Sequence, residues 1–431
     1  MKKIYLLTIV LILTTAANVF AQHVTEGAAV NLNLTPEQWR ADLRFFADEL
    51  PKRHKNAFHA MTREQFETAV RQLNDEIPNL RGEEIFVRFL KLIAMVGDGH
   101  TSIQEAALFG FGFYPVRYEI YADGLFVQSA SAEYAEAVGG KVVKIGSTPI
   151  EKAVRQLGEI AWGDNYSDQS KKVEIAFLLS MPKVLHGLKI TDGDERVALT
   201  VEKNGRQKTV EIKAQKDLMN YVRNGKKANA NDNSANPLPL YLKEPDNNFR
   251  FEYVADAKIL YVQFNAVQNK PDETIAAFFK KVFDFAEKTE VEKFVLDVRM
   301  NTGGNNLLNK PVVVGLIKSK LNERGKLFVI TGRRTFSAAQ NLVNELEKYT
   351  NAIFVGEPTG SSPNFVGEED PFVLPYSKIL ANVSNLFWQS AFPQDERTWI
   401  APMIYVPPTF KAYSANRDAV LESILEYPSP K

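Results

Sequence analysis

Ser337 stands where a hydroxyl could be turned into a nucleophile. The segment from Gly332 to Val343 follows an apolar strand pattern, Leu327–Ile330. It opens a helical repeat carried by Ala339, Leu342, Val343 and Leu346. At a helix start, unsatisfied backbone N–H groups and the helix dipole favour developing negative charge, which is what an acyl-transfer oxyanion needs. Ser is also a preferred helix cap, so the residue type alone leaves both readings open. A proton acceptor for such a hydroxyl is offered by Asp98-Gly99-His100-Thr101, because imidazole is the side chain suited to proton transfer near neutrality. Of the histidines at 23, 54, 59, 100 and 186, His100 alone lies in a glycine-flanked turn. A third segment, Phe294 to Asn305, ends an apolar strand in Asp297 and Arg299 and opens into Gly303-Gly304. Paired glycines let the backbone approach a ligand closely and present N–H groups to an oxyanion. Asp297 reads as an organiser of that loop, paired with Arg299. The fourth segment, Ile353 to Asn364, is a strand leaving into a Gly/Ser loop. No phosphate-binding loop, dinucleotide fingerprint or His-Glu-x-x-His run occurs, so no cofactor and no metal is expected.

These residues need elements to hold them. A chain of 431 residues implies two or three domains, and 45% hydrophobic with 24% charged residues is a globular composition. Lys+Arg 52 against Asp+Glu 52 gives no basic footprint for nucleic acid. The absence of Cys excludes disulfides, thiolate sites and a cysteine nucleophile. Residues 1–21 read as a signal peptide: Lys2-Lys3, an apolar run from Ile4 to Leu13, then Val19-Phe20-Ala21 before the cut. An exported protein, periplasmic or secreted and without a membrane span after signal removal, is expected. Residues 32–103 read as a helical domain, with Thr35/Gln38 and Thr62/Gln65 as capping boxes. Short strands and an Asn204-Gly205 hairpin mark 112–214, with a helical insert around 158–190. Residues 215–247 read as a polar linker. In 248–431, strands alternating with helices predict an α/β core with largely parallel strands.

Taken together, the four segments resemble the tail-specific, or C-terminal-processing, serine peptidase family, to which the tricorn core peptidases belong. The shared motifs are the Asp-Gly-His-Thr turn, the Asp-x-Arg-x-Asn-x-Gly-Gly strand end, the Thr-x-Ser-Ala-Ala turn and the Val-Gly-Glu-x-Thr-Gly loop. The resemblance implies a ClpP/crotonase-like α/β core, an N-terminal helical bundle and a PDZ-like β-rich module. It implies Ser337 as nucleophile and oxyanion donors from the N–H of Ala338 and of Gly303 or Gly304. Where members with a Ser–Lys dyad carry their Lys, this chain reads Thr359-Gly360-Ser361-Ser362. The tricorn-like branch instead implies His100 as base and Glu396 as its orienting acid, with Asp395 as the rival. A Ser precedes the His in that branch, whereas Gly99 stands here, and Met403 replaces a usual Asp.

The expected function is a serine endopeptidase acting on peptides or unfolded protein tails by Ser–His acyl transfer. The alternatives are a catalytically weak protein binding a peptide or apolar ligand, and an esterase. An unperturbed imidazole base predicts a rate that falls as pH drops through about 6.5, read in a pH–rate profile. The acid assignment predicts that Glu396→Gln lowers turnover while Asp395→Asn does little.

Overall fold

The computed structural model describes residues 30–103, 112–217, 221, 225–232 and 234–428. The expected signal peptide lies outside them. Helix α1 (Pro36–Arg53) begins with the reciprocal Thr35/Gln38 capping box, and α2 (Arg63–Glu76) repeats the device with Thr62 and Gln65. Helix α3 (Gly82–Val96) stops at Gly97, whose φ of 76° is costly for any residue with a Cβ. Strand β1 (Ser102–Ile103) follows directly on the His100 turn.

The next stretch builds an antiparallel sheet. Its strands are β2 (Val116–Tyr121), β3 (Gly124–Ser131), β4 (Lys141–Ile145), β5 (Arg196–Lys203) and β6 (Arg206–Lys213), neighbours in that order. Between β4 and β5 lie α4 (Ile150–Gly158), then α5 (Asp168–Leu178) and α6 (Pro182–Gly187), the last two within the stretch expected to hold an insert. Gly187 lets α6 meet α3 closely: a Cβ there would sit 2.4 Å from the Glu83 carbonyl oxygen. The helices and this sheet share one continuous apolar cluster, from Trp39 and Phe89 through Tyr118 to Leu199. The described residues of 215–247 are more than a linker. They carry β7 (Lys227–Asn229), paired with β3, and bury Leu240. Their polar composition conceals this because the partner strand lies about a hundred residues upstream.

Six strands form the second sheet: β8 (Phe249–Val254), β9 (Ile259–Phe264), β10 (Lys293–Asp297), β11 (Leu327–Thr331), β12 (Ile353–Gly356) and, from the far end, β17 (Ile404–Tyr405). All neighbours are parallel except β8 with β9. Strands β9 to β12 are buried throughout, which explains why they are mostly apolar. Helices α7 (Ile275–Lys288), α8 (Lys310–Lys318) and α9 (Ala338–Tyr349) cover one face. Leu240 and α10 (Ala419–Glu426) cover the other. Between β12 and β17 the chain makes an excursion that the sequence reading left blank: β13 (Asn364–Gly367), β14 (Asp370–Val373), β15 (Leu380–Val383) and β16 (Leu386–Gln389). Strand β15 pairs with β1, and Phe372, Leu374 and Ile379 bury themselves in the N-terminal cluster.

Asp297 does organise its loop. It accepts from the Arg299 N–H and guanidinium, and from the Tyr261 hydroxyl at 2.5 Å. Arg299 then grips both oxygens of Asp418 at the start of α10, at 3.0 and 2.9 Å, and lies over the Tyr241 ring. Removing this buried cation would leave two uncompensated carboxylates. Arg299→Met is expected to lower unfolding free energy by about 3–5 kcal/mol, measured by urea denaturation.

Candidate active site

The turn after β11 is closed by Thr335, whose hydroxyl donates to the Val298 carbonyl at 2.8 Å and accepts from the Gly332 N–H at 3.0 Å. Phe336 N–H donates to the Asn301 carbonyl, so the Asn301–Gly304 loop and the Ser337 turn brace each other. Ser337 itself has φ 53° and ψ −124°, a region that costs a non-glycine residue about 1–3 kcal/mol. Its side chain makes no cap hydrogen bond, so the helix-cap reading gives way. The hydroxyl instead meets His100: Oγ lies 3.0 Å from Nε2 across 237 residues of sequence.

The base is held by aromatic packing and by its turn. Its ring stacks between Phe336, with centroids 4.6 Å apart, and Phe365 of β13, at 5.5 Å. Asp98 Oδ1 accepts from the His100 and Thr101 N–H groups and the Ser384 hydroxyl; Oδ2 lies 2.6 Å from His54 Nε2. Burial would raise the Asp98 carboxyl, but its bond to His54 and the charge attraction bring it down to about 2. Burial pushes the His100 imidazole down to about 4; the Asp98 charge and the Val366 carbonyl oppose this only partly.

Among the described residues the orienting acid has no counterpart, and of the two glycines one N–H is taken. For Nε2 to accept from Ser337, the ring proton must sit on Nδ1, and that atom is buried with no hydrogen bond of good geometry. Glu396 is exposed and does not reach it. Asp395 is turned to Arg397, which also grips Glu347. Phe365 covers one face of the ring, and the Val366 carbonyl of β13 faces the imidazole. The Gly303 N–H is engaged by Asn301 Oδ1 at 2.9 Å, which removes it as an oxyanion donor. Among the described residues, the N–H groups of Gly304 and Ala338 have no partner. Gly303 matters by size: a Cβ would fall 2.7 Å from Ser337 Cβ and 2.9 Å from Ala338 N. Gly99 is likewise dictated by space, since a Cβ would strike the Phe336 ring at 2.6 Å.

The Gly/Ser loop supports the site from below. Ser361 Oγ accepts from Ser337 N–H at 3.3 Å, and Ser362 Oγ donates to the Thr398 carbonyl. Sequence reasoning missed His54 and Asp164, both buried; neither sits in a motif, and only the fold brings them to the Asp98 turn. No group of three or more His, Cys, Asp or Glu among the described residues is placed to hold a metal ion.

Solved structures with this arrangement of elements exist. The mature CPAF structure complexed with lactacystin superposes with a TM-score of 0.60 at 12% identity, over 91% of this chain and 98% of that one. A CPAF mutant gives 0.62 at 13% identity, over 91% and 97%. The chain shares its fold with CPAF. The photosystem II D1 C-terminal processing protease aligns over 89% of this chain and 97% of its own, with a TM-score of 0.41 at 13% identity. At 12–13% identity the likeness to CPAF is one of fold. No protein-family model matches the sequence, and no curated relative matches it.

Two substitutions test this geometry. Glu396→Gln and Asp395→Asn should each leave kcat/KM within about twofold, because neither carboxylate reaches the imidazole. Gly303→Ala should lower kcat at least tenfold, since the new methyl displaces Ser337 and the adjoining Ala338 N–H. Steady-state kinetics on a chromogenic substrate reads both.

Proposed function

We propose that this chain is a serine-type peptidase in which Ser337 attacks the scissile carbonyl and His100 accepts its proton. The single observation carrying the proposal is the 3.0 Å contact between Ser337 Oγ and His100 Nε2 at a strained strand-to-helix turn. The Ser337 proton passes to Nε2 as the Oγ–carbon bond forms. It then goes to the leaving amine as the peptide bond breaks, and water repeats the sequence on the acyl-enzyme. The N–H groups of Ala338 and Gly304 are the proposed donors to the oxyanion. The imidazole is oriented by its two flanking rings and by the Val366 carbonyl in place of an acid. The β2–β6 sheet stands as the PDZ-like module of this reading and the β8–β12 sheet as its ClpP/crotonase-like core. Substrates are proposed to be peptides or unfolded protein tails. Export rests on the sequence of residues 1–21 alone.

Fluorophosphonate labelling tests the nucleophile. Wild type should label at Ser337, and Ser337→Ala should neither label nor hydrolyse peptides while keeping its unfolding free energy within about 1 kcal/mol. A folded Ser337→Ala protein with residual full activity would falsify the mechanism. The pH dependence has a worked sign. A base must be neutral to accept a proton, and burial holds His100 near 4. The acidic limb of kcat/KM should therefore lie near pH 4, not near the unperturbed 6.5. A midpoint at 6 or above that persists in Asp164→Asn would contradict the buried, ring-flanked base, since the Asp164 carboxyl is itself pushed up to about 7.

A further inference from the structure

Asp164 belongs to neither half of the proposed dyad, yet it touches the supports of both. It sits in the short turn Asp164–Tyr166 between α4 and α5, and is 2% exposed. Its Oδ1 accepts from the Gly99 N–H at 2.7 Å, one peptide before the base. Its Oδ2 accepts from the Ser362 N–H at 3.3 Å, and the Ser361 hydroxyl also bonds to this carboxyl. Ser361 Oγ is the atom that accepts from the Ser337 N–H. One carboxyl thus bridges two loops separated by some 260 residues of chain. The turn is itself strained and pinned. Asn165 and Tyr166 have φ of 46° and 59°. Asn165 N–H donates to the Gly97 carbonyl, and Asn165 Nδ2 donates to Ser362 Oγ at 3.0 Å. Strain of this kind persists only where surrounding contacts over-determine the backbone.

We propose that Asp164 is a positioning residue, a clamp from the helical insert that sets the distance between His100 and Ser337. The inference rests on the peptidase reading and deepens it. Only a side chain with two acceptors serves here, because the groups it faces, Gly99 N–H, Ser362 N–H and the Ser361 hydroxyl, all have a proton to give. Without it, Ser361 loses the partner that orients its lone pair toward Ser337 N–H. Asn supplies one acceptor and sets its own N–H₂ against a backbone N–H, so it replaces half of the clamp. Ionisable neighbours are Asp98 across Gly99, His54 beyond it, His100, His59 beside the Gly97 carbonyl, and Tyr166. Burial and the Asp98 charge push the Asp164 carboxyl up to about 7, while its three donors favour the ionised form that the clamp uses.

The test uses the full chain with Asp164→Ala, Asp164→Asn, Ser361→Ala and the Asp164→Ala/Ser361→Ala pair. A fluorophosphonate probe gives the maximal labelling rate and the half-saturating concentration separately. Asp164→Ala should slow the maximal rate at least tenfold with half-saturation unchanged, Asp164→Asn at least threefold, and the double variant no more than Asp164→Ala alone. A second readout needs no activity: the ¹⁵N shift of His100 Nε2 should move in Asp164→Ala and in Ser361→Ala, reporting a loosened bond to Ser337. Wild type that fails to label overturns the peptidase reading, and the ring shift still decides the clamp. A folded Asp164→Ala with wild-type rate and wild-type shift overturns the clamp. If Asp164→Ala does not fold, an Asp164→Asn protein with both values unchanged does so.

Discussion

The Asp98 carboxylate is the point at which three distant stretches of chain are joined. It binds His54 at the end of α1, the backbone of the His100 turn, and Ser384 beyond β15. A bare carboxylate at 1% exposure would be costly; four hydrogen-bond donors, His54 among them, offset that cost. Because the same oxygen that accepts from Ser384 also accepts from the His100 N–H, the base cannot shift without disturbing the contact between the helical bundle and the excursion from the second sheet. Ser384 returns the link through its N–H to Thr101 and its carbonyl to Lys55 N–H. Asp42 repeats the device nearby, holding the Tyr376 and Ser377 N–H groups from α1.

That junction explains why the excursion β13–β16 exists. A sheet of parallel strands gathers Ser337, Gly304 and the Ser361 loop at its carboxyl edge without outside help. His100 belongs to another apolar cluster. The excursion carries Phe372 and Ile379 into that cluster and lays Phe365 on the imidazole, so one segment docks the base and packs its ring. The same packing buries the ring and lowers its basicity. Positioning and electrostatics are therefore set by one feature. A base held near pKa 4 is a weaker proton acceptor but stays neutral over a wide pH range.

Much of this was legible in the sequence. The capping boxes at Thr35 and Thr62, the Asn204-Gly205 hairpin and the apolar runs of β9 to β12 announce themselves because local hydrogen bonding and side-chain periodicity are short-range. Ser337, His100 and the paired glycines stood out for the same reason: each lies at a punctuated end of an element. The choice between Gly303 and Gly304 as oxyanion donor stayed open. Whether an N–H is free depends on Asn301, whose side chain folds back upon it. Glu396 was assigned by its place in a motif order, and chain order does not say which way a loop faces. Strand β7 and the excursion went unseen because their partners are remote in sequence and their runs are only three or four residues long. His54 and Asp164 carry no local mark at all. Their parts are decided by burial and by donors brought from far along the chain, which only the tertiary structure determines.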